Sequence, residues 1–120
     1  MRRQELGALG EKLARDYLKK KGYHIRESNF RCREGEIDIV ARKGGDLVFV
    51  EVRTRSSQTF GTPEESVTEA KKRKLVASAL TYLSTHAGLP DSWRIDFLAI
   101  ETDPQGGVKR ISLIENALCD

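Results

Sequence analysis

The sequence predicts an α/β fold with a mixed sheet of about five strands flanked by two long helices, in the order αβββαββ. Two segments carry apolar residues at helical spacing, and five shorter segments show the apolar patterns typical of strands. The 120 residues match the usual length of one domain. Because no repeat, low-complexity tract or long linker divides the chain, we expect residues 1–120 to form a single domain.

The first helix is predicted from about Gln4 to Lys21. Basic residues in its last turn, followed by Gly22, are typical of a helix C-terminus. Gly7 and Gly10 each lower helix propensity by up to about 1 kcal/mol, which indicates close packing against another element. The apolar stripe that defines this helix consists of Leu6, Leu9, Leu13, Ala14, Tyr17 and Leu18.

Two strands within residues 35–55 form the centre of the predicted sheet. We expect a short extended segment at Tyr23–Glu27 and a polar loop at Asn29–Glu34 before them. The Gly44-Gly45 dipeptide between the two strands predicts a two-residue hairpin loop. In that register Lys43 pairs with Asp46, which fixes the partners of all other residues in the hairpin.

This register places two acids opposite each other, Asp38 and Glu51, with Glu36 opposite Arg53. Like charges that face each other destabilise a sheet, and carboxylates on an apolar strand are hard to solvate. A divalent cation offsets both costs, because Mg²⁺ binds one or two carboxylates together with waters and phosphate oxygens. Two alternatives remain open: both acids face solvent, or Arg53 and Arg42 neutralise them in ordinary ion pairs.

The side chains of the hairpin divide between two faces, because successive residues of a strand point in opposite directions. One face is predicted to hold Glu36, Asp38, Val40, Phe49, Glu51 and Arg53. The other is predicted to hold Ile37, Ile39, Val48, Val50 and Val52.

The second half of the chain is predicted as a helix followed by two strands. The segment Thr62–Glu65 has the form of a capping box, but Thr68 is a second helix start and we favour it for the main helix. The helix has Leu75, Ala79, Tyr82, Leu83 and His86 as its buried stripe, and residues 88–90 stop it. Trp93–Glu101 and Val108–Ile114 are the predicted fourth and fifth strands.

Four further residues are candidates for the neighbourhood of the acidic pair. Glu11 lies at the border of the apolar stripe of the first helix, where it is either a third carboxylate of the site or an ordinary solvated residue. Lys71 and Lys74, near the start of the second helix, supply an ammonium or belong to a solvated basic face; Lys71 ranks higher because it precedes Leu75 by one turn. We interpret Asp96 as part of a structural ion pair.

The segment Thr54–Ser66 is predicted to be a mobile loop beside the acids. It is flanked by Arg53 and Arg55, so it is a candidate for contact with a polyanion. Phe60 at its tip is a candidate for stacking on a base.

Charge and composition narrow the class of protein. Residues 1–60 hold 14 Lys and Arg against 9 acids, and residues 61–120 hold 7 against 9, so the basic surplus is local. A local surplus is a mild indication of a polyanionic partner, although solvated surface charge also explains it. Cys32 and Cys119 match neither a metal motif nor a disulfide framework. With no membrane-spanning or secretory segment, a cytoplasmic location is expected.

Several motifs of this sequence resemble those of a known family. Asp38 followed by Glu51-Val52-Arg53 is similar to the PD-(D/E)XK nuclease superfamily, which includes the archaeal Holliday junction resolvases and has a restriction-endonuclease-like core. A wider set of motifs looks like the YraN-like uncharacterised protein family and covers nearly the whole chain. These motifs are Gly10-Glu11, Gly35-Glu36-Ile37-Asp38, Val50-Glu51-Val52-Arg53, Val67-Thr68 with Lys71, Arg94-Ile95-Asp96 and Ile114-Glu115-Asn116-Ala117.

The resemblance implies a metal-dependent endonuclease that hydrolyses phosphodiester bonds in DNA, including branched DNA, and that works as a homodimer. Asp38 and Glu51 would bind Mg²⁺ or Mn²⁺, with Glu11 and the backbone carbonyl of Val52 as further ligands. The expected nucleic-acid contacts are Arg53, Arg55, Lys71 and Lys74.

Arg53 departs from the superfamily pattern, which usually has Lys at this position. A guanidinium stays protonated, so Arg53 is not a general base, but it can hold a phosphate or stabilise transition-state charge. Lys71 is the preferred source of a catalytic ammonium. Because of Arg53, an inactive nucleic-acid-binding module with the same fold is the alternative function, and an interaction protein without any nucleic-acid role is the third hypothesis.

Overall fold

The computed structural model describes residues 2–56 and 61–118 and contains the predicted order αβββαββ. Two long helices and five strands make up the fold, with a short 3₁₀ turn before the second helix. Their bounds are α1 Arg3–Lys20, β1 His24–Cys32, β2 Gly35–Lys43, β3 Asp46–Arg55, the 3₁₀ turn Glu64–Ser66, α2 Glu69–Thr85, β4 Ser92–Thr102 and β5 Val108–Ile114.

The five strands form one mixed sheet in the order β1-β2-β3-β4-β5. Only β3 and β4 are parallel, because α2 carries the chain back between them; the other neighbours are antiparallel. The β2–β3 pairing runs from Lys43 with Asp46 to Ile39 with Val50, which confirms the predicted hairpin register. Asp38 and Glu51 are the next residues on the two strands, so the acidic pair lies where the ladder ends.

Each face of the sheet is covered by one helix, which accounts for the two apolar cores. The first core joins α1 to the sheet through Ala14, Leu18, Ile39, Val48, Val50, Leu98 and Ile100. The second joins α2 to the sheet through Ile37, Val40, Phe49, Leu75, Ala79, Tyr82, Ile95 and Phe97. Because β3 and β4 contribute to both cores, their residues alternate between the two helices, and the central strands are buried on both sides.

The first strand is longer than the sequence predicted. Residues Asn29–Cys32 belong to β1, so the predicted polar loop at Asn29–Glu34 is wrong. As an edge strand β1 leaves many of its side chains in solvent, where polar residues are tolerated. Its register shifts between Ile25 and Glu27, and Asn29 has a φ of 57°, so the strand is locally irregular although it stays paired.

The predicted division of β2 between two faces is wrong at its beginning. Ile37 packs in the α2 core together with Val40, whereas Ile39 packs in the α1 core, so the alternation breaks at Asp38. Glu36 pairs with Arg31 on β1 at 3.5 Å and is not opposite Arg53. The physical reason is that the pairing of β2 with β3 stops at Ile39, and the residues before it pair with β1.

Both predicted helix starts in the second half are used. Thr62 and Glu65 exchange hydrogen bonds around the 3₁₀ turn, and the Thr68 hydroxyl accepts a bond from the Lys71 amide at 3.1 Å at the start of α2. The preference for Thr68 as the cap of the main helix is therefore confirmed. The predicted loop begins later than expected, because β3 continues to Arg55. Phe60 lies outside the described residues.

The two glycines of α1 differ in their surroundings. A Cβ on Gly10 would lie 2.0 Å from the Thr54 hydroxyl on β3, so Gly10 allows α1 to approach the sheet closely, as predicted. A Cβ on Gly7 would meet no atom of residues 2–56 or 61–118 within 4 Å. The prediction of close packing is thus wrong for Gly7.

Candidate active site

The two acids of the hairpin lie in contact at the end of the β2–β3 ladder. The Asp38 carboxylate accepts a hydrogen bond of 2.8 Å from the Val52 amide, the position that a strand carbonyl would otherwise fill. Glu51 is 3% exposed. The Asp38 side chain also contacts that of Glu51. The paired residues of β2 and β3 end one position earlier, at Ile39 and Val50, so direct pairing of the two acids across the ladder stays a prediction.

Burial and like charge change the ionisation of the pair. Burial raises the pKa of Asp38 to about 8, and the neighbouring Glu51 carboxylate acts in the same direction, whereas the Val52 amide lowers it. Without a cation, Asp38 therefore holds a proton through much of the neutral range. A carboxyl group whose pKa is raised by burial and by a second carboxylate beside it is a group that a metal cation would stabilise in its charged form.

Two cations contact Glu51. The Arg53 Nε atom lies 3.1 Å from Glu51 Oε2, and the Lys71 ammonium, from α2, lies 3.6 Å from the same oxygen. The Arg53 Nε atom is buried and makes no hydrogen bond in spite of this proximity. The open alternative of ordinary ion pairs is thus partly realised: Arg53 offsets the charge of Glu51, while Arg42 is exposed and pairs with Leu47 further along the hairpin.

A cleft of about 630 Å³ opens beside Asp38, between α1 and the end of β3. Three arginines and two acids give it a polar lining: Arg3, Arg53, Arg55, Glu11 and Asp38. Glu11 is half-buried in this wall and shares the cleft with Asp38.

Lys71 and Lys74 occupy different positions, although both stand in the first turns of α2. Lys71 reaches the carboxylate pair, whereas Lys74 is exposed, and its Cβ lies near Gly35 at the start of β2. The sequence ranking of Lys71 over Lys74 agrees with this geometry. Their roles toward nucleic acid stay predictions.

The donor set fits a hard divalent cation that also uses water or phosphate oxygens. Within residues 2–56 and 61–118, no group of three or more His, Cys, Asp and Glu side chains is close enough to hold a metal. Two carboxylates in contact nevertheless match Mg²⁺, which commonly takes one or two carboxylates and completes its shell with other oxygens. Glu11 borders the cleft without joining such a cluster, and its predicted role as a ligand stays a prediction.

Asp96 belongs to a separate and well-satisfied network on β4. It is fully buried and accepts hydrogen bonds from Tyr23, Arg94 and the Asn116 amide, at 2.8, 3.0 and 2.9 Å. Arg94 in turn pairs with Asp46 at 2.9 Å. This arrangement agrees with the interpretation of Asp96 as part of a structural ion pair.

Two cleft residues were missed by sequence reasoning, Arg3 and Gly7. The available signal was their spacing from Glu11, because residues four apart stack on one side of a helix. The sequence places only Glu11 at the border of the apolar stripe and predicts close packing for Gly7, because a helix pattern alone does not reveal where a cleft opens.

Comparison with known proteins identifies the family of this chain. The model of the uncharacterised protein family UPF0102 matches residues 10–100, which include Glu11, Asp38, Glu51 and Lys71. Among the described residues, no helix combines the length and the apolar character that crossing a membrane requires.

Proteins of the same name cover almost the whole chain. A UPF0102 protein of Moorella thermoacetica is 46% identical over 117 residues, which are 98% of both chains. Another, from Dehalococcoides mccartyi, is 48% identical over 97% of this chain and 94% of its own. A third, from Symbiobacterium thermophilum, is 44% identical over 95% and 96%. The YraN-like resemblance is thereby confirmed, and the chain belongs to the uncharacterised protein family UPF0102.

Proposed function

We propose that this protein is a metal-dependent endonuclease that hydrolyses phosphodiester bonds in DNA. The observation that carries the proposal is the contact of Glu51 with Asp38, an acid that lines a cleft with three arginines in its wall. A like-charged pair of this kind costs stability unless a cation compensates it. A protein that keeps such a pair beside a cleft lined with anion-binding residues has the parts needed to bring a metal ion and a phosphate together.

Asp38 and Glu51 would hold Mg²⁺ or Mn²⁺. The Val52 amide points toward Asp38, and in an extended strand the amide and carbonyl of one residue lie on the same side, which supports the Val52 carbonyl as a further ligand. Glu11 would contribute from the wall of the cleft. When bound, the ion would polarise the scissile phosphate and activate a water molecule.

Arg53 and Lys71 supply the positive charge that phosphate chemistry requires. Arg53 lines the cleft, so its guanidinium can bind a phosphate oxygen there. The Lys71 ammonium, 3.6 Å from Glu51, is the group that can donate to the leaving oxygen or orient the attacking water. In this proposal, Arg53 and Lys71 together replace the strand lysine of the superfamily pattern. Arg53 binds the phosphate, and Lys71 donates a proton to the leaving oxygen or orients the attacking water.

The nature of the substrate follows from the cleft and from the resemblance. Arg55 extends the basic wall beyond Arg53, and Lys74 adds an exposed cation on α2, so both are suited to contacts with the phosphate backbone. Branched DNA as a substrate and a homodimeric state come from the resemblance to resolvases alone, and both belong to the proposal.

The test is a cleavage assay with purified protein, Mg²⁺ or Mn²⁺, and single-stranded, duplex and four-way-junction DNA. We expect cleavage that Asp38→Asn and Glu51→Gln each reduce by at least about 100-fold, because each substitution removes a ligand charge. Asp16→Asn, an exposed acid on α1, is the matched control and should cleave as the wild type does. Circular dichroism of each variant shows whether its fold is retained.

A second candidate function is a nucleic-acid-binding module without cleavage. One observation favours it: Glu51 is already neutralised by Arg53 and Lys71, so the pair has compensation without a metal ion. This candidate predicts salt-dependent DNA binding with no cleavage under any metal tested. Binding that is equally strong at high salt, or absent altogether, would contradict both candidates and favour an interaction protein.

A further inference from the structure

Gly7 is a helix position whose residue is not explained by any contact with the part of the chain that the structure describes. Gly10, one turn later, is explained because a side chain there would collide with Thr54. At Gly7 the direction of a Cβ is open, and this open space belongs to the cleft beside Asp38. Since glycine lowers helix stability without an internal benefit here, the space above Gly7 is suited to something outside the chain.

Three cleft residues of α1 stand four apart: Arg3, Gly7 and Glu11. Residues with this spacing lie above one another on one side of a helix, so they form a continuous track along the cleft wall. The track has a cation at one end, a bare stretch of helix backbone in the middle, and at its other end Glu11, which shares the cleft with Asp38.

We propose that this track, Arg3–Gly7–Glu11, receives the sugar-phosphate backbone of one nucleic-acid strand on its way to the carboxylate pair; this rests on the proposed nuclease function. Arg3 binds a phosphate at the far end of the track. Gly7 lets the strand lie directly against the helix backbone, where any larger side chain would hold it away. The protein therefore contacts the nucleic-acid strand on one side of the scissile phosphate as well as at that phosphate.

The length of the track sets the distance between the cut and the Arg3 contact. Eight residues at 1.5 Å per residue give about 12 Å between Arg3 and Glu11. A stacked nucleic-acid strand advances roughly 3.4 Å per nucleotide, so Arg3 contacts a phosphate about three to four nucleotides from the scissile one. The site thus requires that many nucleotides on one particular side of the cut.

The first experiment measures binding of a labelled 20-nucleotide DNA by fluorescence anisotropy in EDTA, where no metal-dependent cleavage interferes. Gly7→Leu should weaken binding by about 10-fold or more, because the side chain fills the track. Its matched control is Ala8→Leu, which adds comparable bulk at an exposed position outside the cleft lining and should bind as the wild type does. Gly7→Leu should also raise Tm, since leucine favours a helix, so lost binding cannot be attributed to unfolding.

The second experiment compares two neighbouring arginines. Arg3→Ala should weaken binding several-fold and reduce the slope of log K against log salt by about 1, as expected for one lost phosphate contact. Arg2→Ala removes a residue that pairs with Glu5 outside the cleft and should leave the slope unchanged.

The outcomes separate this proposal from the one on which it rests. If the wild type binds and cleaves DNA but Gly7→Leu and Arg3→Ala do the same with equal strength, the track is wrong while the nuclease assignment stands. If the wild type binds but does not cleave, weakened binding by both variants still supports the track. A wild type that binds no nucleic acid overturns the track together with both proposed functions.

Discussion

Two carboxylates on the central strands, Asp96 and Asp38, are treated by the fold in opposite ways. Asp96 is fully buried and receives bonds from a phenol, a guanidinium and a backbone amide. Asp38 receives one bond from a backbone amide and faces another carboxylate, that of Glu51. The first acid is fully compensated by the chain itself, whereas the second is compensated only in part.

The difference teaches which of the two groups is suited to a ligand. A buried polar group whose hydrogen-bond partners all lie within the protein stabilises the fold, and no part of its hydrogen-bonding capacity is left for a ligand. A pair whose own members repel each other keeps an affinity for any cation that enters. The comparison therefore assigns a structural role to the Asp96 network, and it supports a ligand-binding role for Asp38 and Glu51.

The largest effect is expected on stability, from removal of Asp96. Asp96→Ala should lower the free energy of unfolding by about 3–5 kcal/mol, because it leaves the guanidinium of Arg94, 18% exposed, without its buried partner. Glu51→Ala should cost less, about 1–2 kcal/mol, because removal of its repulsion with Asp38 offsets part of the loss of its ion pairs with Arg53 and Lys71, which are 34% and 27% exposed. Urea denaturation measures both; equal losses would erase the distinction between the two acids.

The next effect concerns the cations that face Glu51. Lys71→Met should reduce the cleavage rate by about 100-fold at saturating DNA, the usual cost of one group that stabilises transition-state charge. Lys74→Met, three residues along the same helix and exposed, should change mainly the affinity for DNA. Single-turnover kinetics separates the two effects, and a rate that falls equally in both variants would remove the special role of Lys71.

A smaller effect is expected from the metal ion on the stability of the folded protein. At a concentration ten times its dissociation constant, Mn²⁺ should raise the free energy of unfolding by about 1.4 kcal/mol, and EDTA should reverse this. Asp38→Asn should abolish the increase, while Asp16→Asn, on the exposed side of α1, should keep it. Thermal unfolding with and without the ion measures the difference, and an increase that survives Asp38→Asn would place the ion elsewhere.

Most of the fold could be predicted because its signals are local. The Gly44-Gly45 turn determines the hairpin register, and Thr68 determines the start of α2, each through the conformation of a few residues. The early part of β2 could not be predicted in this way. Ile37 lies on the α2 side of the sheet because the residues before Ile39 are positioned by their pairing with β1. This tertiary pairing cannot be inferred from the alternation of side chains along the sequence.

The two acids of the candidate site could be predicted from the sequence, but the residues that line the cleft beside them could be predicted only in part. The hairpin register brings Asp38 and Glu51 to the end of the β2–β3 ladder, and helical spacing favours Lys71 over Lys74 as the lysine that approaches Glu51. The contributions of Arg3 and Gly7 depend on how α1 lies across the end of the sheet. That crossing is determined by the contact of Gly10 with Thr54, which a sequence indicates only as an unexplained glycine.

The smallest expected effect is a dependence of protein stability on pH that comes from Asp38. The folded protein keeps a proton on Asp38 up to a pKa of about 8, whereas the unfolded chain releases it near pH 4. Between these values the folded state binds more protons than the unfolded state, so the stability of the metal-free protein falls as pH rises. Asp38→Asn cannot titrate and should lose this part of the slope, which Asp16→Asn should retain. Chemical denaturation in EDTA at pH 5, 6.5 and 8 measures it; a wild-type stability that rises across this range, with Asp38→Asn following the same curve, would show that Glu51 does not hold the proton on its neighbour.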